Sequence, residues 1–599
     1  MKLRIGIDVG GTFTDVVAID AAGATTIAKA ASTPADPSAG VVAGLKALAE
    51  RLGLSCDALL AVTERIVHGT TVATNALLER KGARVAMLTT AGHRDVLQMR
   101  EGLKNERYDL RLPPPEPLAP RDLRLGIRER IGPDGAVRIP LDPASLQHAI
   151  ERLRTADVEA VAVCFLHAWC NAAHERAAAA AVAAALPDVF LCCSADVLPE
   201  IGEYDRIATT VVNAYVGPRI GPYLARLEDR LRGLGYYGPI YVVHSHGGVE
   251  PIAETARLAA ATVLSGPAGG VAGALRAADS AEAPDVITFD MGGTSTDVAL
   301  VHGAEPALSR HRDVAGERIA LQSLDIVTVG AGGGSIAHVD ARGILAVGPA
   351  SAGAEPGPAC YGRGGTDATV TDANLVLGYL DAERPLGDGR RLDLAAATAA
   401  IDRLAEWLGL QREAAAAGVH RVVNARMAEG IRLASVRRGI DPRRFALLAF
   451  GGAAGLHAAA IARELGMGRV LVPSTASVFS AWGMLTSDLR YEGVRTHIGD
   501  ADALDGAAFR ALFDELEAEV TARLRQDFAG PIRTKRSADM RYGEQIFDVQ
   551  VALDEVDWDR GDTLAQAIEA FHRRHEQLFT YAMRGQGVVV VNVRVAAVG

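Results

Sequence analysis

The sequence predicts an α/β fold in which two α/β domains enclose a cleft and a smaller α+β module follows. Strand-like and helix-like segments alternate through the first 490 residues, which is typical of largely parallel sheets. An eight-residue pattern occurs twice, each time between two apolar, β-rich runs. After about Tyr491 neither this pattern nor the glycine loops recur. We therefore place the domains at residues 1–195, 196–490 and 491–599.

The repeated pattern, D-x-G-G-T-x-T-D, occupies residues 8–15 and 290–297. Paired glycines let a turn approach a ligand closely, and the N–H groups of such a turn bind phosphate oxygens. Threonine hydroxyls add further donors. We therefore predict that the nucleotide-binding residues include Gly10, Gly11, Thr12, Thr14, Gly292, Gly293 and Thr294.

The aspartates of the two copies have different predicted roles. Asp8 and Asp290 end buried strands, where a carboxylate can hold Mg²⁺ or orient an attacking atom, so we take both as metal-binding and catalytic candidates. Asp15 and Asp297 follow the turns, and we expect them to brace the hairpins. One copy alone is compatible with an ordinary glycine hairpin. Two matching copies predict hairpins that face each other across a polyphosphate.

Two later glycine loops extend this prediction. The loop at 330–335 either contacts phosphate or allows two strands to cross. The loop at 451–455 joins a strand to a helix, where a phosphate can bind or a base and ribose can lie against the backbone. These loops add to the predicted nucleotide contacts Gly332, Gly333, Gly451, Gly452 and Gly455.

The segment H-G-T-T at 68–71 is a candidate for the substrate side of the site. We expect a loop that enters a helix N-terminus, with donors able to polarise a carbonyl, and take His68 and Thr70 as catalytic candidates. The alternative is a helix cap beside a core histidine.

Two other groups of polar residues have no clear role in the sequence. We expect His244 and His246, at a strand end, to point in opposite directions, which disfavours a shared metal; His246 alone can face the cleft. Glu203 and Asp205 flank Tyr204 at the start of a helix predicted over about 204–216, and are either acid and base groups or a solvated helix start.

Composition excludes several classes of protein. A net charge of −11 does not favour nucleic acid or an anionic membrane surface as a partner. The sequence contains no G-x₄-G-K-[ST], so a P-loop is excluded, and its six cysteines have no zinc-site spacing. No charged-then-apolar signal segment precedes the strand that begins at Leu3. We therefore expect a cytoplasmic protein.

Together these motifs resemble those of the actin-like (ribonuclease H-like) ATPases, in which two hairpins bind phosphate and a later loop binds adenosine. More closely, the chain is similar to the hydantoinase A/5-oxoprolinase family, which includes A-type subunits of ATP-dependent hydantoinases and the β-type subunit of acetone carboxylase. The segments that carry the resemblance are 5–15, 68–75, 246–248, 265–270, 290–297, 332–335, 450–455 and 538–542.

The resemblance implies use of ATP and Mg²⁺ to hydrolyse a cyclic amide such as a hydantoin or 5-oxoproline, with a B-type partner subunit in an oligomeric complex. In this scheme the chain phosphorylates the carbonyl oxygen of the substrate. A subunit of an ATP-dependent ketone carboxylase is the near alternative. A nucleotide-driven switch acting on a protein, and a small-molecule kinase, are the alternatives from other classes.

Overall fold

Two six-stranded sheets, each containing one copy of the repeated hairpin, form the centre of this computed structural model. The structure describes residues 2–11, 13–33, 36–102, 108–384 and 391–599.

Residues up to 200 alternate between strands and helices. The strands are β1 (Leu3–Val9), β2 (Phe13–Asp20), β3 (Thr25–Ala31), β4 (Thr63–Thr70), β5 (Val85–Thr90), β6 (Arg124–Ile127), β7 (Arg130–Ile131), β8 (Val137–Ile139), β9 (Ala160–Cys164) and β10 (Phe190–Cys193). The helices are α1 (Pro37–Arg51), α2 (Cys56–Ala61), α3 (Val72–Leu78), α4 (Val96–Met99), α5 (Pro143–Thr155), α6 (Ala173–Ala185) and α7 (Ser194–Val197).

The middle of the chain adds the second set of strands. These are β11 (Ile240–Val243), β12 (Val249–Pro251), β13 (Val286–Met291), β14 (Thr296–His302), β15 (Glu305–Pro306), β16 (Leu308–Ser309), β17 (Arg312–Val314), β18 (Glu317–Ile319), β19 (Ser323–Leu324), β20 (Ile326–Val329), β21 (Ser335–Val339), β22 (Leu345–Ser351), β23 (Ala446–Phe450) and β24 (Val470–Leu471). The helices are α8 (Glu203–Gly233), α9 (Ile252–Arg257), α10 (Ser265–Ser280), α11 (Val370–Val376), α12 (Leu394–Leu408), α13 (Arg412–Ser435), α14 (Ala458–Leu465) and α15 (Phe479–Met484).

The two large sheets share one plan. In the first, with the order β12-β11-β4-β1-β2-β3, the hairpin β1–β2 lies beside the parallel strands β4 and β11. In the second, the order is β15-β14-β13-β23-β24, with β20 as the sixth strand paired to β14, and the hairpin β13–β14 lies beside the parallel strand β23. The first sheet takes strands from both sides of residue 195, so segments across that proposed boundary share a sheet. A smaller parallel sheet, β10-β9-β5-β6, lies within the first 200 residues.

Helices α10 and α15 pack against each other between the two sheets. Glycines make this close approach possible, because a Cβ atom on Gly483 would overlap the Gly269 carbonyl oxygen. Similarly, a Cβ atom on Gly6 of β1 would overlap the Ala481 carbonyl oxygen of α15. This packing fixes α15 against β1, the strand that carries Asp8.

The last hundred residues form the expected α+β module. Its strands β25 (Arg490–Asp500), β26 (Arg533–Tyr542), β27 (Val549–Ala552) and β28 (Val588–Val598) make an antiparallel sheet with the order β25-β28-β26-β27. Its helices are α16 (Gly506–Asp527) and α17 (Thr563–Phe579). The predicted fold class is confirmed, although β25 was not anticipated, because its alternation of apolar and polar residues is weak.

Two local predictions need correction. Helix α8 was expected to end near residue 216 but continues through Pro218 and Pro222 to Gly233, because its buried side chains pack against the core and outweigh the lost backbone hydrogen bonds. Strand β4 includes His68 and Thr70, which were expected in a loop. None of the described helices has both the length and the hydropathy needed to cross a bilayer.

Candidate active site

A cavity of about 140 Å³ lies between the tips of the two repeated hairpins. Asp8 and Asp290, far apart in sequence, both face it, which confirms that the two copies of the pattern share one cavity. The described residues that line it are Asp8, Gly10, Thr71, Gly266, Pro267, Asp290, Gly292, Ser295, Asp297 and Ser480.

Each hairpin carries two aspartates directly opposite each other. Asp8 is paired with Asp15 across the first hairpin, and Asp290 with Asp297 across the second. Asp15 forms an ion pair with Lys29 at 2.6 Å. Asp297 accepts a hydrogen bond from the Thr328 hydroxyl at 2.6 Å, although it also lines the cavity. These contacts are those expected of residues that brace the hairpins.

The described lining of the cavity carries acidic side chains, and Lys29, the cation that acts on Asp8, is already paired with Asp15. Burial, and then the Asp15 carboxylate, raise the pKa of Asp8 to about 7. Burial, followed by the Asp297 and Asp8 carboxylates, raises the pKa of Asp290 well above its usual range. Asp8 Oδ1 is buried and has no hydrogen-bond partner in the described chain. No lysine or arginine is among the described lining residues. Such a site fits a divalent cation.

The glycines of each hairpin have two different roles. The N–H groups of Gly10 and Gly292 donate to Phe13 and Ser295 at 3.0 and 3.1 Å, which closes the turns. Both glycines line the cavity, and their contact with phosphate stays a prediction. Gly11 and Gly293 are exposed at the tips, and no hydrogen bond from either N–H is found in the described chain. These two N–H groups remain free to receive an anion.

The threonines of the pattern also differ. Thr294 is exposed at the tip of the second hairpin. Thr14 is fully buried behind the first turn, where its hydroxyl lies 3.3 Å from the Ser32 hydroxyl. Because Ser32 donates to the Gly10 carbonyl, Thr14 supports the turn and does not face the cavity, contrary to expectation. The prediction for Thr12 lies outside the described residues.

The loop at 330–335 packs against the second hairpin. The N–H groups of Gly333 and Gly334 donate to the Gly292 and Gly293 carbonyls at 3.0 and 2.6 Å. The Gly332 N–H donates to the Ser335 hydroxyl at 2.9 Å. These donors are therefore occupied, and direct binding of phosphate by Gly332 and Gly333 is not supported. The loop instead holds the hairpin that carries Asp290.

The loop at 451–455 begins against Asp290. Gly451 has a φ of +88°, and a Cβ atom there would overlap Asp290 Oδ1. Gly452 and Gly455 face open space. The Ala453 N–H donates to the Met291 carbonyl at 3.0 Å. The loop thus extends from the cavity without closing it, and its nucleotide contacts stay a prediction.

His68 and Thr70 are fully buried and lie outside the cavity lining. His68 Nε2 is 2.7 Å from the Tyr223 hydroxyl, and burial lowers the pKa of His68 to about 4. Thr70 Oγ1 accepts from the Val72 N–H at the start of α3. These contacts match the alternative of a core histidine and a helix cap. Neither side chain reaches the cavity as a catalytic group would.

Several cavity residues were not predicted as site residues. Thr71 is the last residue of the predicted segment 68–71, in which only His68 and Thr70 were taken as candidates, and Gly266 and Pro267 lie in the first turn of α10. A proline just inside a helix start is a recognisable signal, and a helix N-terminus favours anions. Ser480 comes from α15 and has no local sequence signal.

The remaining candidates lie elsewhere. Glu203 is exposed at the start of α8, and Asp205 pairs with Arg318 at 3.1 Å, as expected for a helix start. The prediction for His244 and His246 is wrong, because their ring centroids are 5.5 Å apart on the same side. Alternate residues at a strand end face the same side.

Two models of known protein families match most of the chain. The model of the hydantoinase/oxoprolinase N-terminal region matches residues 4–186. The hydantoinase/oxoprolinase model matches residues 206–493. Both hairpins and the loop at 451–455 lie within these matches.

Individual relatives agree with the family models. The chain is 42% identical over its whole length to caprolactamase subunit alpha of Pseudomonas jessenii, covering 87% of that protein. It is 31% identical to 5-oxoprolinase 1 of Arabidopsis thaliana, with all of this chain aligned to 50% of that protein. The crystal structure of the ATP-dependent caprolactamase from P. jessenii matches with a TM-score of 0.89 at 42% identity, over 100% of this chain and 87% of that one. A nucleotide-free acetone carboxylase structure matches with a TM-score of 0.82 at 27% identity, over 100% of this chain and 88% of that one. The chain therefore belongs to the hydantoinase/oxoprolinase family.

Proposed function

We propose that this chain binds ATP with Mg²⁺ between its two hairpins and uses it to activate the carbonyl oxygen of a cyclic amide for hydrolysis. The observation that carries the proposal is the meeting of Asp8 and Asp290 in one cavity whose described lining has no cationic side chain. The ATP-dependent caprolactamase, at 42% identity, gives the substrate class.

The residues of the cavity suit the phosphate end of a nucleotide and its ion. Asp8 and Asp290 would hold Mg²⁺, which when bound neutralises phosphate charge during transfer. Gly11 and Gly293 present free N–H groups at the hairpin tips, and the exposed Thr294 adds a hydroxyl. The first turn of α10 brings a helix N-terminus to the same cavity.

The base and ribose belong on the open side of the second hairpin. Gly451 places the loop against Asp290, while Gly452 and Gly455 leave open space for a flat group. The cavity of about 140 Å³ between the hairpin tips would then receive the phosphates and their ion.

Activation by phosphate explains why such an enzyme uses ATP. An amide carbonyl is a poor electrophile, and phosphorylating its oxygen makes the carbonyl carbon easier to attack. Water then adds to that carbon, the ring C–N bond breaks with the nitrogen leaving as an amine, and a second water hydrolyses the resulting acyl phosphate to carboxylate and phosphate. The chain's task is positioning and charge neutralisation, which dominate phosphoryl transfer. A B-type partner subunit would deliver water to the activated carbon. The name caprolactamase subunit alpha implies such a complex for the relative. The need for ATP and the six unpaired cysteines support a cytoplasmic location.

The test is a substrate panel with ATP and Mg²⁺, using the chain alone and together with a B-type subunit of the same family. The panel contains caprolactam, 5-oxoproline, hydantoin, acetone and acetophenone. We expect ADP release to be stimulated by a lactam or hydantoin, together with a ring-opened product. The Asp290→Asn variant, which should be inactive, is the control.

Carboxylated product from a ketone would replace the proposal by the ketone carboxylase alternative. A stable phosphorylated product would indicate a kinase. ADP release that responds to no small molecule would favour the nucleotide-driven protein switch.

A further inference from the structure

A second group of polar residues lies where β11 ends. His244 follows the strand, a turn with Gly247 at φ +85° reverses the chain, and β12 returns with Glu250. One nitrogen of each imidazole of His244 and His246 and a carboxylate oxygen of Glu250 lie within 4.8 Å of one another. All three residues are buried. Three potential ligands therefore converge on one point inside the protein.

The imidazole of His244 is held with one lone pair unused. Its Nε2 lies 3.0 Å from Thr255 Oγ1, and the Thr255 hydroxyl donates to the Pro251 carbonyl. Thr255 therefore accepts from His244 Nε2–H, which leaves the lone pair on Nδ1. Nδ1 is buried without a hydrogen-bond partner in the described chain and lies 3.6 Å from Glu250 Oε1. A metal-binding histidine is typically oriented in this way through its other nitrogen.

His246 adds a second imidazole. Its Nδ1 accepts the Gly248 N–H at 3.0 Å, which holds the ring against the turn. A neutral imidazole has one lone pair, so a metal bound by His246 would replace this single hydrogen bond.

The surroundings of the cluster favour a cation. Arg490, which packs against Gly248 beside His246, is paired with Glu492. Arg523, which faces Glu250, is paired with Glu254 at 3.1 Å. Because these arginines are compensated, the Glu250 carboxylate is not committed to either of them.

A cavity of about 1730 Å³ opens beside the cluster, and His244, His246 and Glu250 form part of its wall. We propose that these three residues bind a divalent transition metal of the zinc class, whose remaining coordination positions face the cavity. Two imidazoles and one carboxylate form the ligand set of many zinc sites that keep an open position for water or another oxygen donor.

The separations between the potential ligand atoms are close to those that a tetrahedral Zn²⁺ ion requires. Tetrahedral Zn²⁺ with bonds of about 2.1 Å separates its ligand atoms by about 3.4 Å. His244 Nδ1 and Glu250 Oε1, at 3.6 Å, already have this separation. The widest separation in the cluster, at most 4.8 Å, needs a side-chain movement of about 1 Å.

The proposed metal site is separate from the nucleotide cavity. Asp8 pairs with Gly69, and Val242 pairs with His68, so His244 lies just past the row that contains Asp8. The strands β1 and β11 have β4 between them, which places them about 10 Å apart. None of the three proposed ligands lines the nucleotide cavity.

The test measures metal binding by the untagged full chain without ATP. After treatment with a chelator, the chain is titrated with Zn²⁺ and with Co²⁺, whose visible absorption reports tetrahedral coordination. We expect one equivalent of each metal to bind. Glu250→Gln and His246→Asn should weaken Zn²⁺ binding at least about 100-fold, while His302→Asn, at an exposed histidine, should not change it.

A further variant tests the site without removing any of the three proposed ligands. Thr255→Val removes only the hydroxyl that orients His244, and should weaken Zn²⁺ binding about 10- to 100-fold. Retained binding of ATP and Mg²⁺ shows that each variant is folded. Zn²⁺ binding that is absent from the wild type, or equal in the wild type and the folded variants, overturns the proposal. Neither result depends on lactam hydrolysis.

Discussion

Gly451 packs so closely against Asp290 that a Cβ atom on Gly451 would overlap the Asp290 carboxylate. The start of the proposed adenosine loop thus touches the residue proposed to hold the metal ion. A substitution of Gly451 should therefore disturb the binding of both the adenosine and the metal-bound phosphates.

Gly451→Ala should weaken ATP binding and lower the thermal midpoint. The added methyl group displaces Asp290, and the φ of +88° strains any L side chain, together costing about 1–3 kcal/mol. Gly452→Ala, where nothing lies within 4 Å, is the matched control and should change stability by less than about 0.5 kcal/mol. Calorimetry with and without ATP measures both effects. Equal behaviour of the two variants would contradict the placement of the loop.

Asp8→Asn should reduce ATP turnover at least about 100-fold by removing a proposed ligand of Mg²⁺. The same variant should make the nucleotide-free chain more stable at neutral pH. The folded chain keeps a proton on Asp8 up to its pKa of about 7, whereas the unfolded chain loses that proton near 3.8. The contribution of Asp8 to the free energy of unfolding therefore falls as pH rises from about 4 to about 7. Melting curves across this range should show the gap between variant and wild type widening, and a constant gap would argue against a buried Asp8.

Binding of Mg²⁺ and ATP should release protons near neutral pH. The raised pKa of Asp8, about 7, means that the carboxyl must ionise before it holds a cation. Below pH 7 the apparent affinity for Mg²⁺ should fall by up to about tenfold per pH unit. Titrations of Mg²⁺ at pH 6 and pH 8, at saturating ATP, measure this. If the affinity for Mg²⁺ is the same at pH 6 and pH 8, the proposal that Asp8 and Asp290 bind the ion is wrong.

A buried ion cluster joins the C-terminal module to the segment before α8. Arg594 Nη2 lies 2.6 Å from Glu200 Oε2 and 2.9 Å from Asp539 Oδ2. Arg594→Met leaves the buried Glu200 and Asp539 carboxylates with Arg310 as their remaining described cation and should cost up to about 3–5 kcal/mol. We expect the module to become sensitive to limited proteolysis.

The control for this prediction is Arg584→Met, which removes an exposed pair with Glu569. It should cost less than about 1 kcal/mol. If both variants resist the protease equally, the buried cluster does not hold the module in place.

The sequence by itself determined the hairpins, the cleft residues Asp8 and Asp290, and the α+β module. These follow from local rules: glycine pairs permit tight turns, and alternating or periodic apolar residues give strands and helices. The repetition of one pattern implied a shared ligand, because a single hairpin cannot enclose a triphosphate.

Only the tertiary structure decided which groups of those motifs face the cavity. Some polar groups of the motifs form hydrogen bonds within the protein, because polar groups removed from water need a partner. These are the N–H groups of Gly10 and Gly292 and the Thr14 hydroxyl. Thr71 and Ser480 reach the cavity because α3 and α15 are packed there by contacts distant in sequence. The convergence of His244 with Glu250 depends on a chain reversal whose geometry no local pattern specified.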